Sequence, residues 1–68
     1  MEISYNKLWK VLIDKNMKKK ELKDIAGIIS SSLAKLGKNE PVTLEVLMKI
    51  CEALDVNIGD VVEFIKKV

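Results

Sequence analysis

Gly27 is the residue that most restricts how this chain can fold. It follows an amphipathic segment in which Leu22, Ile25 and Ala26 share one helical face, and it precedes a second in which Ile28, Leu33 and Leu36 supply apolar groups at helical spacing. A glycine placed there can end the first helix in the left-handed conformation, which it enters almost without penalty. The second helix can then turn back at a steep angle and share one small core with the first. Lys19 to Pro41 therefore reads as a short helix, a tight turn at Ala26-Gly27-Ile28, a second short helix and a polar exit, with the remaining segments packed around that unit.

Composition bounds what such a unit can belong to. With 68 residues, 49% hydrophobic and 32% charged, the chain makes one compact domain, residues 1–68, near the lower limit of size for a core that folds alone. It has no His, a single Cys and no apolar run approaching the ~20 residues that span a bilayer, which argues against zinc sites, disulfides and membrane spans. Met1-Glu2-Ile3-Ser4 lacks a basic stretch followed by an apolar one, so a cytoplasmic address is expected. Without His, with Cys51 on an apolar helix face, and without a convergent carboxylate pair or a phosphate-cradling loop, no acid-base or nucleophilic constellation can be assembled. No enzymatic activity, cofactor or small-molecule substrate is expected.

Taken in order, the chain reads as five helices. Ser4 is placed to cap the first, from about Tyr5 to Lys15, with Ile3 stapled to Leu8, and Tyr5, Leu8, Trp9, Leu12 and Ile13 on its inner face. Trp9 could stack on a base, but it lies within that apolar face and reads as core. Met17 and Leu22 bracket a second start at Lys18 or Lys19, with Glu21 in the first turn. Ser30-Ser31-Ser32 open the third helix, where their hydroxyls can cap free amides. Gly37-Lys38-Asn39-Glu40-Pro41 is a loop by composition. Thr43 caps the fourth helix, whose inner stripe is Leu44, Leu47, Ile50, Cys51 and Leu54 and whose outer face pairs Glu45 with Lys49. Asn57, with Asp60 three residues on, caps a fifth helix that turns Ile58, Val61, Val62 and Ile65 inward and leaves Phe64 and Val68 to one side. The expected fold is all-α.

The charges are unevenly placed. Residues 1–40 hold nine Lys against five acids and the remainder three Lys against five, so a +4 half adjoins a −2 half. With Leu33 and Leu36 inward, a helical projection puts Ser31, Lys35 and Lys38 outward and Ser32, Ala34 and Asn39 on the flanks. Short side chains between lysines let a helix approach a groove closely. Lys18, Lys19 and Lys20 oppose the dipole at the start of the second helix, a cost that a phosphate at that helix end would offset, although a run of lysines is also an ordinary solvated face. Every basic residue is Lys, which meets phosphate as a point charge but lacks the fork with which Arg reads guanine.

These segments together are similar to the Cro/phage-repressor (Xre-like) helix-turn-helix family. The likeness rests on Lys19-Lys20-Glu21-Leu22, on Ala26-Gly27-Ile28, on Leu33-Ala34-Lys35-Leu36-Gly37-Lys38-Asn39-Glu40, and on the run from Leu44 to Ile58. It covers nearly the whole chain, with the motif at about residues 19–38. The resemblance implies a transcriptional regulator, of the repressor kind, that binds double-stranded DNA with its third helix in the major groove. It places Lys19 and Lys38 against the DNA backbone and Ser30, Ser31, Ala34 and Lys35 against bases or adjacent phosphates; Ser32 and Asn39, on the flanks of the projection, complete the expected DNA-binding set. Three positions depart from the family's pattern: Lys18 stands where a Ser or Thr cap is usual, Lys23 where a small residue is usual, and Ile29 where a Ser or Thr commonly caps the recognition helix. A homodimer addressing two half-sites is expected, with Val61, Phe64 and Val68 at its seam. The rival expectation is a protein-interaction module on the same fold, such as an antitoxin or adaptor.

Overall fold

The computed structural model describes residues 1–66. A short strand β1 (Glu2–Ser4) leads into α1 (Asn6–Asp14), α2 (Lys19–Ala26), α3 (Ser30–Gly37) and α4 (Leu44–Leu54); a single 3-10 turn at Ile58–Asp60 then precedes β2 (Glu63–Ile65). The two strands pair antiparallel, with Glu2 opposite Ile65, Ile3 opposite Phe64 and Ser4 opposite Glu63. One core runs through the molecule: Tyr5, Leu8 and Leu12 of the first segment meet Leu22, Ala26 and Ile28 of the turn, Leu36 of α3, Leu47, Ile50 and Leu54 of α4, and Val61.

The architecture is thus four helices and a small two-stranded sheet, not five helices. The expected fifth helix stops after one turn. Its start is where the sequence puts it, since the Asn57 N–H donates to Asp60 Oδ2 at 3.1 Å. Beyond Asp60 the residues are Val61-Val62-Glu63-Phe64-Ile65, β-branched and aromatic types that lose rotamer freedom in a helix and suit a pleated strand. The preceding Ile58, Val61, Val62, Ile65 spacing fits a helix equally well, and pairing with β1 decides between them. An isolated two-stranded ribbon is marginal in water. This one is held because Val61, Ser4 and Tyr5 beside it are fully buried and Lys7 of α1 reaches the Gly59 carbonyl (3.4 Å) and Glu63 (4.0 Å). Consequently Ile58 and Ile65, expected inside, are exposed, while Val61, expected on the inner face and also at a dimer seam, is wholly inside and has no surface to offer a seam. Val68 lies outside the described residues.

The apolar faces of the helices are wider than the core that they cover. Ile13, Ile25 and Leu44, each expected on an inner face, stand exposed, and Leu33 is half-buried behind the fully buried Leu36. Ser4 belongs to β1 and is not the residue next to the helix, yet its hydroxyl still accepts from the Asn6 N–H at 3.3 Å. Thr43 Oγ1 accepts from the Val46 N–H at 3.2 Å, and Lys49 lies 3.6 Å from Glu45, as the sequence implies.

Left-handed residues follow all four helices: Asn16, Gly27, Asn39 and Asp55 have φ of 54°, 68°, 56° and 56°. Each lets a later N–H reach back to the last turn, as Val56 does to the Cys51 carbonyl at 3.0 Å. At Gly27 an added Cβ would meet nothing within 4 Å, so the backbone angle rather than space calls for glycine. Asp55 meets the same angle with a Cβ and places a carboxylate at the negative end of α4. Asp55→Gly should therefore stabilise the domain by roughly 0.5–1 kcal/mol, read as a rise of several degrees in a thermal melt. A lowered melting temperature would show that the carboxylate has a structural role of its own.

Candidate nucleic-acid interface

The geometry of the motif follows from three local choices. The α2 start is supported from behind by Glu21, whose Oε1 accepts the Lys18 N–H at 3.1 Å and places a negative charge among Lys18, Lys19 and Lys20. Gly27 ends α2, with the Ile28 N–H returning to the Lys23 carbonyl at 3.2 Å, and Ile28 drops into the core. The chain then leaves Ile29 in an extended conformation and starts α3 at Ser30. Leu36 anchors α3 from beneath, so the opposite side faces water.

That side carries most of the residues expected to touch DNA. Ser30, Ser31, Ala34, Lys35 and Lys38 are exposed along α3 and its C-terminal end, and Ser32 is half-buried at the flank. The serines do not cap the helix as expected. The capping position falls on Ile29, one residue before them, and no side chain caps α3.

Two expected contact residues have partners inside the protein. Lys19 lies with Nζ 4.4 Å from the centre of the Trp9 ring, a cation-π contact that holds the ammonium beside α1. Trp9 is accordingly half-buried, packed on the core by one side and covered by a cation on its face. Asn39, left-handed in the loop after α3, accepts the Tyr5 N–H on Oδ1 at 3.3 Å, and the Tyr5 hydroxyl donates to the Glu40 carbonyl at 2.7 Å. Burial pushes the Tyr5 phenol above its ordinary range, which keeps the hydroxyl protonated as that donor. The loop that carries Lys38 is therefore pinned to the start of α1.

A groove of about 300 Å³ opens between the start of α3 and the start of α4. Ile29, Ser32 and Lys35 line one wall, and Thr43, Glu45, Val46 and Lys49 line the other. Ile29, Thr43 and Lys49 had not been counted as site residues. In the sequence Ile29 stands out only as a departure from a family pattern, and Lys49 has its intrahelical partner Glu45. Cys51 offers no chemistry here: it is half-buried, and burial, with Asp60 nearby, raises its thiol pKa. Among the described residues no group of His, Cys, Asp and Glu gathers as a metal site, and no helix is long and apolar enough to cross a membrane.

Comparison with known proteins agrees with this arrangement. The chain is similar to the crystal structure of the transcriptional regulator VanUg (Form II), with 56% sequence identity, a TM-score of 0.88, and coverage of 91% of this chain and 83% of that one. No curated protein matches it. The family model for the Cro/C1-type HTH DNA-binding domain matches residues 7–67. With that match spanning both motif helices, the pinned loop and the C-terminal strand, the chain belongs to the Cro/C1-type helix-turn-helix DNA-binding family.

Proposed function

We propose that this domain is a transcriptional repressor of the cytoplasm that binds a specific site in duplex DNA with α3 in the major groove, and that it does so as a homodimer. The observation that carries the reading is the outer face of α3, where Ser30, Ser31 and Ala34 are short and Lys35 and Lys38 flank them, on a frame that the DNA-binding family shares. Affinity comes chiefly from lysine-phosphate contacts with release of counterions, and specificity from close approach of short side chains and from DNA shape. Lys19, at the start of α2, meets the backbone of the flanking phosphates.

Dimerisation follows from the small contact area of one such domain and from the two-fold arrangement of half-sites about one helical turn apart. Its surface is the sheet and not a helix: Phe64 of β2 is 68% exposed, beside Met1 at 87%. The same apolar surface favours the alternative, a protein-binding module, because it adjoins a groove lined by Ile3, Pro41 and Phe64. Affinity for duplex DNA at about 150 mM salt separates the two readings, since non-specific lysine-phosphate adhesion weakens steeply with salt and a site-specific complex retains its base and shape readout there.

Selection of bound sequences from random duplex DNA tests site, symmetry and binding together. Lys35→Ala and Lys38→Ala should each weaken binding to the selected site while leaving thermal stability within about 0.5 kcal/mol. Lys19→Ala should weaken binding to all sequences alike and lower the salt slope by about one unit. Wild-type affinity in all three variants would remove α3 as the docking element, and sedimentation of wild type against Phe64→Lys would report the dimer.

A further inference from the structure

Ile29 is unexplained by the core and by the reading of α3 above. It occupies the capping position of α3 with φ −84° and ψ 161°, where a Ser, Thr, Asp or Asn side chain would accept a free amide of the first turn. Isoleucine gives up that bond, and its side chain gains little burial in exchange, being 67% exposed. It lies on the wall of the groove that also holds Ser32 and Lys35, immediately before the short Ser30 and Ser31. An apolar side chain at the leading end of a helix that enters a major groove meets base edges, and the apolar group those edges present is the 5-methyl of thymine.

We propose that Ile29 packs against the 5-methyl group of a thymine in each half-site and so determines specificity at that base pair, an inference that rests on α3 being the DNA-reading helix. Lys35 draws the DNA in without selecting a base, Lys49 across the groove is engaged by Glu45, and the serines accept several hydrogen-bonding patterns. Ile29 has no hydrogen-bonding atom beyond its backbone, so it selects by apolar contact and discriminates thymine from every base that lacks the methyl. Losing one buried methyl corresponds to about fourfold in affinity.

The test uses the full chain and a duplex site obtained by selection. Each thymine is replaced singly by deoxyuridine, which differs only in lacking the 5-methyl, and the dissociation constant is measured for wild type and for Ile29→Ser. The expected result is a loss of about fourfold for wild type at one thymine of each half-site and no loss there for Ile29→Ser, which binds the two duplexes alike. Ile29→Ser should also melt several degrees higher, because it acquires the missing cap, so its weaker binding is not a folding defect. Indifference of wild type to every replacement, a selected site without a thymine preference, or equal sensitivity in Ile29→Ser would overturn the proposal while leaving DNA binding standing. Failure of wild type to bind any duplex would instead overturn the reading of α3, and this proposal with it.

Discussion

Replacing Leu36 with alanine is expected to unfold the domain at room temperature or leave it barely folded. The side chain is fully buried and is the anchor by which α3 joins the common core of α2 and α4. Truncating such a residue typically costs about 2–5 kcal/mol, through lost transfer energy and the cavity left behind, and a domain of this size has little more than that in reserve. Leu33→Ala removes the same atoms from a half-buried position and should cost less, leaving a folded protein with a lowered melting temperature. Circular dichroism melts of the two variants check the ordering. Equal losses would mean that α3 is rotated so that both leucines face inward alike, and the outward set from Ser30 to Lys38 would rotate with it.

The second large effect is expected at Asn39, which performs two tasks at once. Its φ of 56° ends α3 in the left-handed region, and its side chain accepts the Tyr5 N–H. The Glu40 N–H reaches back to the Lys35 carbonyl at 2.9 Å and the Asn39 N–H to the Leu36 carbonyl at 3.3 Å, which together close the helix end. Asn39→Ala loses the residue's tolerance of that angle and the hydrogen bond together, for a combined loss of about 2 kcal/mol. Asn39→Gly keeps the angle and loses only the bond, at about 1 kcal/mol. Urea titrations of the pair separate the terms. If glycine were as damaging as alanine, the bond to Tyr5 would carry the whole effect; if it were harmless, the backbone angle would.

What could be read from the sequence, and what could not, divides by distance along the chain. The left-handed Gly27, the Thr43 cap and the Glu45–Lys49 pair each involve residues within four of one another, and each is present as read, whereas the equally local Asn57–Asp60 contact starts a single 3-10 turn and not the expected fifth helix. The final strand was missed because its partner, Ile3 opposite Phe64, lies at the other end of the chain, while the local spacing of Ile58, Val61, Val62 and Ile65 suited a helix. Ile13 and Leu44 were misplaced for a related reason: periodicity shows which residues share a face, but the width of the covering core decides how much of that face is buried. Within the candidate site, the outward placement of Ser31, Lys35 and Lys38 was legible from the projection of α3 alone. The engagement of Lys19 with Trp9 and of Asn39 with Tyr5 was not, since both are tertiary contacts between α1 and the motif.

The pairing of Glu2–Ser4 with Glu63–Ile65 also sets an order of events in folding. The four helices and their turns draw mostly on neighbours in sequence, whereas the ribbon must close a loop that embraces nearly every residue described, and loop closure is entropically dearer the longer the loop. Contacts among α1 to α4 close shorter loops than the ribbon does, so the ribbon is expected to zip last onto a preassembled helical body, clasping it like a belt whose two ends meet.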